Sequence, residues 1–330
     1  MIRRARAVAA RIVAACIAAA FIAAASAPKG LAAQISDTLL SRELAPGVSY
    51  RQFTDRSGPF VMHLVRVNLR RGGVEIRHAR ANDQLRGRER TSAMARRASE
   101  SGATVLAAIN ADFFSLATGE NENNQVIGGE WWKGLKVTDS PFDTYDNPHM
   151  QFAVDAAGRP QMDRYVFDGK AVARGVATPI TTLNFNPSGN PEGTALYTFR
   201  YGPTTPRDTT RLSAEAALVH AGRRGDTLLY LRRGPVAPAS GSAIPADGAV
   251  LSAYGNGSRI REVTAMADGD TVRVLLSTLP RMARGPTLII GGQEILFSMH
   301  CPFRWHNHHS MPAVFHLSGG QVFRHPPYHR

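Results

Sequence analysis

Cysteine is almost missing from this chain of 330 residues: Cys16 and Cys301 are the whole supply. If the N-terminal segment is cleaved, one thiol remains and no internal disulfide can form, so the fold rests on its core. Long apolar runs are also scarce. The stretch from Ile12 to about Ala25 is too short for a comfortable transmembrane span. The chain has no internal repeat, no low-complexity linker and no basic stripe interleaved with aromatics. The formal charge of +13 is scattered along it, which argues against nucleic acid as a partner. A generally positive surface favours an anionic substrate or an acidic envelope polymer instead.

What is present begins with "MIRRARAVAARIVAACIAAAFIAAASA": a basic start, an apolar stretch, then small residues. This is the three-part export pattern, and it predicts a signal peptide over residues 1–33 and a secreted or periplasmic product. No stable membrane insertion is expected after cleavage. Beyond it the texture is β-rich. Residues 60–69 alternate as a strand, and residues 73–81 follow a Gly-Gly turn as its neighbour. Residues 90–102 have helical spacing and end on glycine. Residues 103–110 read as a buried strand, and residues 150–167 as a hairpin turning at Ala157-Gly158. A strand is expected over 194–202, a second hairpin over 215–234, and strand, turn and short helix over 247–266. Strands over 269–279 and 285–292 complete the pattern. The mixture predicts an α+β fold, a single domain of mixed or antiparallel sheet with short flanking helices, over residues 34–297.

The last stretch, residues 298–330, breaks this grammar. Seven of the eleven histidines crowd into it with Cys301 and Trp305, and no period is sustained. It reads as an aberrant tail left by a reading-frame change or a foreign C-terminus. The alternative is a metal-binding tail in which His306, His308, His309 and Cys301 supply zinc ligands, although their spacing matches no common zinc pattern.

Chemistry concentrates in residues 104–134, "TVLAAINADFFSLATGENENNQVIGGEWWKG". Asn110 and Asp112 stand where an apolar run stops. A polar residue at a strand end faces a sheet edge, where catalytic groups often sit. Asn110 can donate and accept, Asp112 supplies a carboxylate, and Phe113 and Phe114 could raise its pKa to suit a general acid. Equally, Asn110 and Asp112 could close a turn through their own backbone. Residues 119–125 offer oxygens of the kind calcium prefers, but the EF-hand pattern is absent and a solvated loop explains them as well.

Taken in order, these pieces resemble the phosphodiester glycosidase domain family. That family's strand ending in Asn-Gly-(Gly/Asp)-Phe-Phe is resembled by Ala107-Ala108-Ile109-Asn110-Ala111-Asp112-Phe113-Phe114, with Ala111 in the middle glycine's place. "ELAPGVSYRQF" from Glu43, "FAVDAAGRP" from Phe152, "LYTFRYGPTTP" from Leu196, "IPADGAVLSAYG" from Ile244 and "GPTLIIGG" from Gly285 resemble its later segments. The resemblance runs from Leu44 to Ile295. The family's closing Arg-x-Ala-x-Gly strand and Asp-Gly-Gly-Gly-Ser motif are missing, with Ser318 where the aspartate would stand.

The resemblance implies hydrolysis of the bond between a sugar's anomeric carbon and a phosphodiester oxygen, in a sugar phosphate or envelope polysaccharide. Asp112 would be one carboxylate, Asn110 would position a hydroxyl or water, and Arg200 would grip phosphate in bidentate fashion. Phe113, Phe114, Tyr197, Thr198, Gly128, Gly129, Gly285 and Pro286 would line the substrate. No cofactor is implied, a divalent cation such as calcium being the alternative. A carbohydrate-binding protein without catalysis is the competing function.

Overall fold

The computed structural model describes residues 35–55, 60–100, 104–136, 149–186 and 191–292. The expected signal peptide and histidine-rich tail, with both cysteines, lie outside the described residues.

The chain divides into two compact units at Val74/Glu75. In the first, strands β1 (Ile35–Ala45), β2 (Val48–Asp55) and β3 (Phe60–Val67) form an antiparallel meander. Strand β3 pairs with β2, Val48 opposite Val67 and Asp55 opposite Phe60. The expected partner at residues 73–81 is therefore displaced: after β3 the chain makes a 3-10 turn at Leu69–Arg71, and residues 74–80 form no strand and have no ladder partner among the described residues.

The second unit holds two sheets. A five-stranded sheet contains β4 (Gln125–Ile127), β5 (Glu130–Lys133), β6 (Gln151–Asp155), β7 (Pro160–Asp163) and β16 (Pro286–Gly291), in the order β5-β4-β16-β6-β7. The larger sheet uses β8 (Val166–Ala173), β9 (Val176–Ile180), β10 (Thr182–Leu183), β11 (Gly193–Thr198), β12 (Ser213–Arg224), β13 (Thr227–Ala237), β14 (Gly248–Tyr254) and β15 (Thr271–Leu279). Its order is β10-β11-β14-β12-β13-β15-β8-β9. Strand β9 pairs antiparallel with β8 and runs straight into β10, which pairs parallel with β11 through Thr182–Ala195 and Leu183–Leu196. One segment thus joins both ends of the sheet, and Thr181 N donating to Thr194 O at 2.8 Å continues the seam. The result is a nearly closed barrel.

This corrects the α+β expectation. Strand accounts for 48% of the described residues and helix, 3-10 turns included, for 10%; the two α-helices are α1 (Thr91–Glu100) and α2 (Ser258–Thr264). The turn-rich stretches between the expected strands themselves form short strands, β4, β5, β9 and β10, whose pairing comes from distant partners and leaves little local periodicity. The two hairpins, the 247–266 strand-turn-helix and the last two strands lie where the alternation predicts them.

Alternation also explains the core. Ala214, Ala216 and Leu218 of β12, Ala249, Leu251 and Ala253 of β14, and Val272 and Val274 of β15 share the barrel interior with Phe167, Ile180 and Leu196. Each fully buried Leu, Val or Phe contributes on the order of 2 kcal/mol. Strand β14 is buried along both faces, because Val250 packs with Ala195, Tyr197 and Ile244 in a second cluster, with Tyr201 against it.

Candidate active site

Residues 104–109 do not form the expected buried strand. They have no ladder partner among the described residues, Ala107 to Asn110 are exposed, and Ile109 is 58% exposed. An apolar run without a pairing edge leaves its peptide groups to water, so composition alone could not make it a strand. Asn110 therefore stands on an exposed segment, its Oδ1 accepting a hydrogen bond from Thr91 Oγ1.

Two residues later the chain turns inward. The Asp112 N–H donates to Gly291 O at 3.0 Å, at the end of β16. Asp112 adopts φ 63°, a left-handed conformation that aspartate tolerates better than most residues. Its Oδ1 accepts from Phe113 N at 2.8 Å and Asn123 Nδ2 at 2.7 Å, and its Oδ2 from Asn121 Nδ2 at 2.9 Å. The local turn and the constructed carboxylate site thus coexist: the first bond closes the turn, and the two amides come from elsewhere. Burial pushes the Asp112 carboxyl above its ordinary pKa, while these donors and Lys133 act against the rise.

Those amides belong to the segment that reads as a solvated loop. The structure buries Asn121 through Gln125 without a break. Phe114 and Asn121 form a β-bridge, Ser115 N donates to Glu120 O at 2.8 Å and Glu122 N to Phe113 O at 2.9 Å, which folds the segment back over Asp112. Buried polar groups need partners: Asn124 Nδ2 donates to Tyr165 O at 2.9 Å, and its Oδ1 accepts from Leu135 N at 2.6 Å. Gly291 is required by this approach, since a Cβ there would lie 2.3 Å from Asn123 Cβ. No group of three or more His, Cys, Asp or Glu gathers among the described residues.

Cations surround the carboxylates. Lys133 is fully buried, its Nζ 3.0 Å from Glu120 Oε1, 2.5 Å from Asn121 O and 4.7 Å from the Phe185 ring centre. Arg86 Nε donates to Glu120 Oε2 at 3.0 Å, and its guanidinium lies 4.6 Å from the Tyr201 ring centre. Although burial pulls it down, Tyr201 and Glu120 hold the Arg86 pKa above its ordinary value. Arg80 donates to Gln84 O at 3.3 Å, to Gly119 O at 3.2 Å and to Leu85 O. Burial lowers its pKa, and Asp112 and Glu120 oppose the fall. Beside this group, His78 Nε2 lies 3.0 Å from Gln125 Nε2, and burial, then Arg80, lowers the imidazole pKa to about 4.

The other expected residues scatter. Phe113 is half-buried beside Asp112, but Phe114 is 46% exposed. Tyr197 OH donates to Phe185 O at 3.3 Å, one step from Lys133, and burial pushes its phenol up. Thr198 instead fixes Asn184: its N–H donates to Asn184 Oδ1 at 2.7 Å, and its Oγ1 accepts from Asn184 Nδ2 at 2.9 Å. Arg200 forms a bidentate pair with Glu130, at 2.9 and 2.7 Å, and stacks 4.1 Å from the Trp132 ring centre. Pro286 begins β16, about 17 Å along the strand from Gly291, and Gly285 immediately precedes it. Gly128 and Gly129 make the β4–β5 turn near that same far end, Gly129 N donating to Thr287 O at 2.9 Å.

Glu120 was legible only as one oxygen donor among several. Arg80, Arg86, Lys133, Phe185 and Tyr201 carry no local signal, because they reach the cluster from separate parts of the chain.

No family model and no curated protein matches the chain. A crystal structure of a hypothetical protein from Synechocystis is similar, with a TM-score of 0.59 at 19% identity over 78% of this chain. The match covers 44% of that structure's chain. At this identity the likeness concerns the fold.

Proposed function

We propose that the chain is an exported glycoside hydrolase, secreted or periplasmic, that cleaves sugar 1-phosphodiesters or related envelope polysaccharides. The observation that carries this reading is Asp112: a carboxyl with a raised pKa, fixed by Asn121 and Asn123 from outside its own turn, within the motif that resembles the phosphodiester glycosidase family. An upward shift of the carboxyl pKa is the direction a general acid requires.

In the reaction, the anomeric C–O bond breaks and its electron pair goes to the phosphate oxygen, which takes the Asp112 proton. Water adds to the anomeric carbon, and its proton returns to the Asp112 carboxylate. The products are a free sugar and a phosphomonoester. Asn121 and Asn123 hold the carboxyl in one orientation through both transfers. Glu120, tied to Lys133 and Arg86, is the frame of the leaving-group side.

The test is release of N-acetylglucosamine from its methyl 1-phosphodiester, followed for the full chain and for Asp112→Asn. A loss of about 100-fold or more, with the thermal melt retained, is expected. Full activity in Asp112→Asn would remove Asp112 from the chemistry. The exposed, unpaired segment before Asp112 favours the competing reading of a carbohydrate-binding protein without catalysis. Saturable sugar binding with no turnover in the wild type would establish that alternative.

A further inference from the structure

Two loops meet beside Asp112, and their junction is fastened from several directions. Gly87 N donates to Thr118 O at 2.9 Å. Arg80 holds Leu85 O and Gly119 O, the carbonyls just before Arg86 and just before Glu120. Gly119, at φ +74°, has no room for a side chain, since a Cβ there would lie 2.1 Å from Gly87 O. The Arg86–Glu120 pair therefore sits on a backbone that is fixed on both sides.

Of the three cations in the cluster, Lys133 is wholly buried against Glu120, and Arg80 is buried and spent on carbonyls. Arg86 differs. Its side chain is 42% exposed, Nε is committed to Glu120, the Tyr201 hydroxyl also hydrogen-bonds the guanidinium, and the terminal amino groups have no carboxylate partner among the described residues. Tyr201 supports the guanidinium plane, so the fork is oriented before any ligand arrives. Such a preorganised fork suits phosphate. Arg200, the other candidate, has both Nε and Nη2 occupied by Glu130.

We infer that Arg86, stacked on Tyr201 and braced by Glu120, is the phosphate-binding residue of this site, and that its ligand is a phosphate mono- or diester. Arg80 is a positioning residue that sets the loop carrying it. The inference rests on the sugar-phosphodiester reading for its choice of anion, but its test needs no turnover.

Inorganic phosphate is titrated into the full chain by calorimetry, for the wild type and for Arg86→Gln, Arg86→Lys and Arg200→Gln. Saturable binding to the wild type is expected. It weakens about 10- to 100-fold in Arg86→Gln and less in Arg86→Lys, which keeps the charge and loses the fork. Arg200→Gln stays within about twofold of wild type on the same grounds. Binding in Arg86→Gln at wild-type strength, equal loss in Arg200→Gln, or no binding to the wild type would each overturn the assignment. If Arg86→Gln fails to fold, the weakening in Arg86→Lys decides. Phosphate held through Arg86 with no diester hydrolysis would refute the hydrolase reading and leave this one standing. Hydrolysis with an unchanged KM in Arg86→Gln would do the reverse.

Discussion

Lys133 and Glu120 form an ion pair inside the protein: Nζ lies 3.0 Å from Oε1, the lysine side chain has no exposure, and the glutamate side chain has 11%. Removing one partner of such a pair strands the other charge in a poor solvent, which typically costs about 3–5 kcal/mol. Lys133→Met is expected to lower stability by that order, read as a shift in the urea midpoint. The double variant Lys133→Met/Glu120→Gln should recover part of the loss, since no carboxylate is then left uncompensated on that side. A single variant as stable as wild type would mean that the pair does not organise the cluster.

The Arg200–Glu130 pair has similar geometry but different surroundings, with side chains 26% and 43% exposed. Solvent screens it, so Glu130→Gln should cost no more than about 1 kcal/mol, falling further as salt is raised. It would also free the Arg200 fork. Denaturation at low and high salt checks the size. A loss comparable to that of Lys133→Met would show that Arg200 anchors the fold through more than this pair.

These two pairs mark how far the sequence could be read. Apolar patterning between turns marked β12, β13, β14 and β15; the first two and β15 gain from a period of two, while β14 is apolar enough to be buried on both faces. Motif order drew attention to Asp112. Burial of residues 121–125 was invisible, because a polar run is indistinguishable from a surface loop until its partners are known. Those partners, among them Tyr165, Leu135 and Lys133, come from elsewhere in the chain. The opposite error occurred at residues 104–109, where apolar composition suggested a strand and no edge among the described residues pairs with it. The α+β expectation failed for a related reason: β9 and β10 exist because β8 and β11 lie on either side, not because of their own residues.

His78 gives a pH prediction on stability. Its folded pKa, about 4, lies below the ordinary value of 6.5. The neutral form is favoured in the folded state, so this contribution is complete above 6.5 and is lost as pH falls towards 4. The whole effect is at most about 3 kcal/mol. His78→Gln should flatten the stability profile between those limits. Urea denaturation from pH 7 to pH 4 is the measurement, and an equal slope in both proteins would place the titrating group elsewhere.

Asp112 has the opposite sign. Its folded pKa is raised above 3.8, with burial as the leading cause. Protonation is therefore easier in the folded state, and the associated stability is full below the unfolded pKa and lost as pH rises through the folded one. Asp112→Asn should remove that slope, so the variant gains on the wild type as pH increases. Asn123 works against the shift, because its Nδ2 at 2.7 Å favours the ionised carboxyl. Asn123→Ala is expected to raise the Asp112 pKa further, and Gly291→Ala should act in the same direction by forcing Asn123 away. The carboxyl carbon chemical shift of Asp112, followed through a pH titration, reads all three cases. If the acid role is right, the alkaline limb of hydrolysis must move up with that pKa in Asn123→Ala. A titration that moves while the rate profile stays fixed would assign the proton transfer to another group.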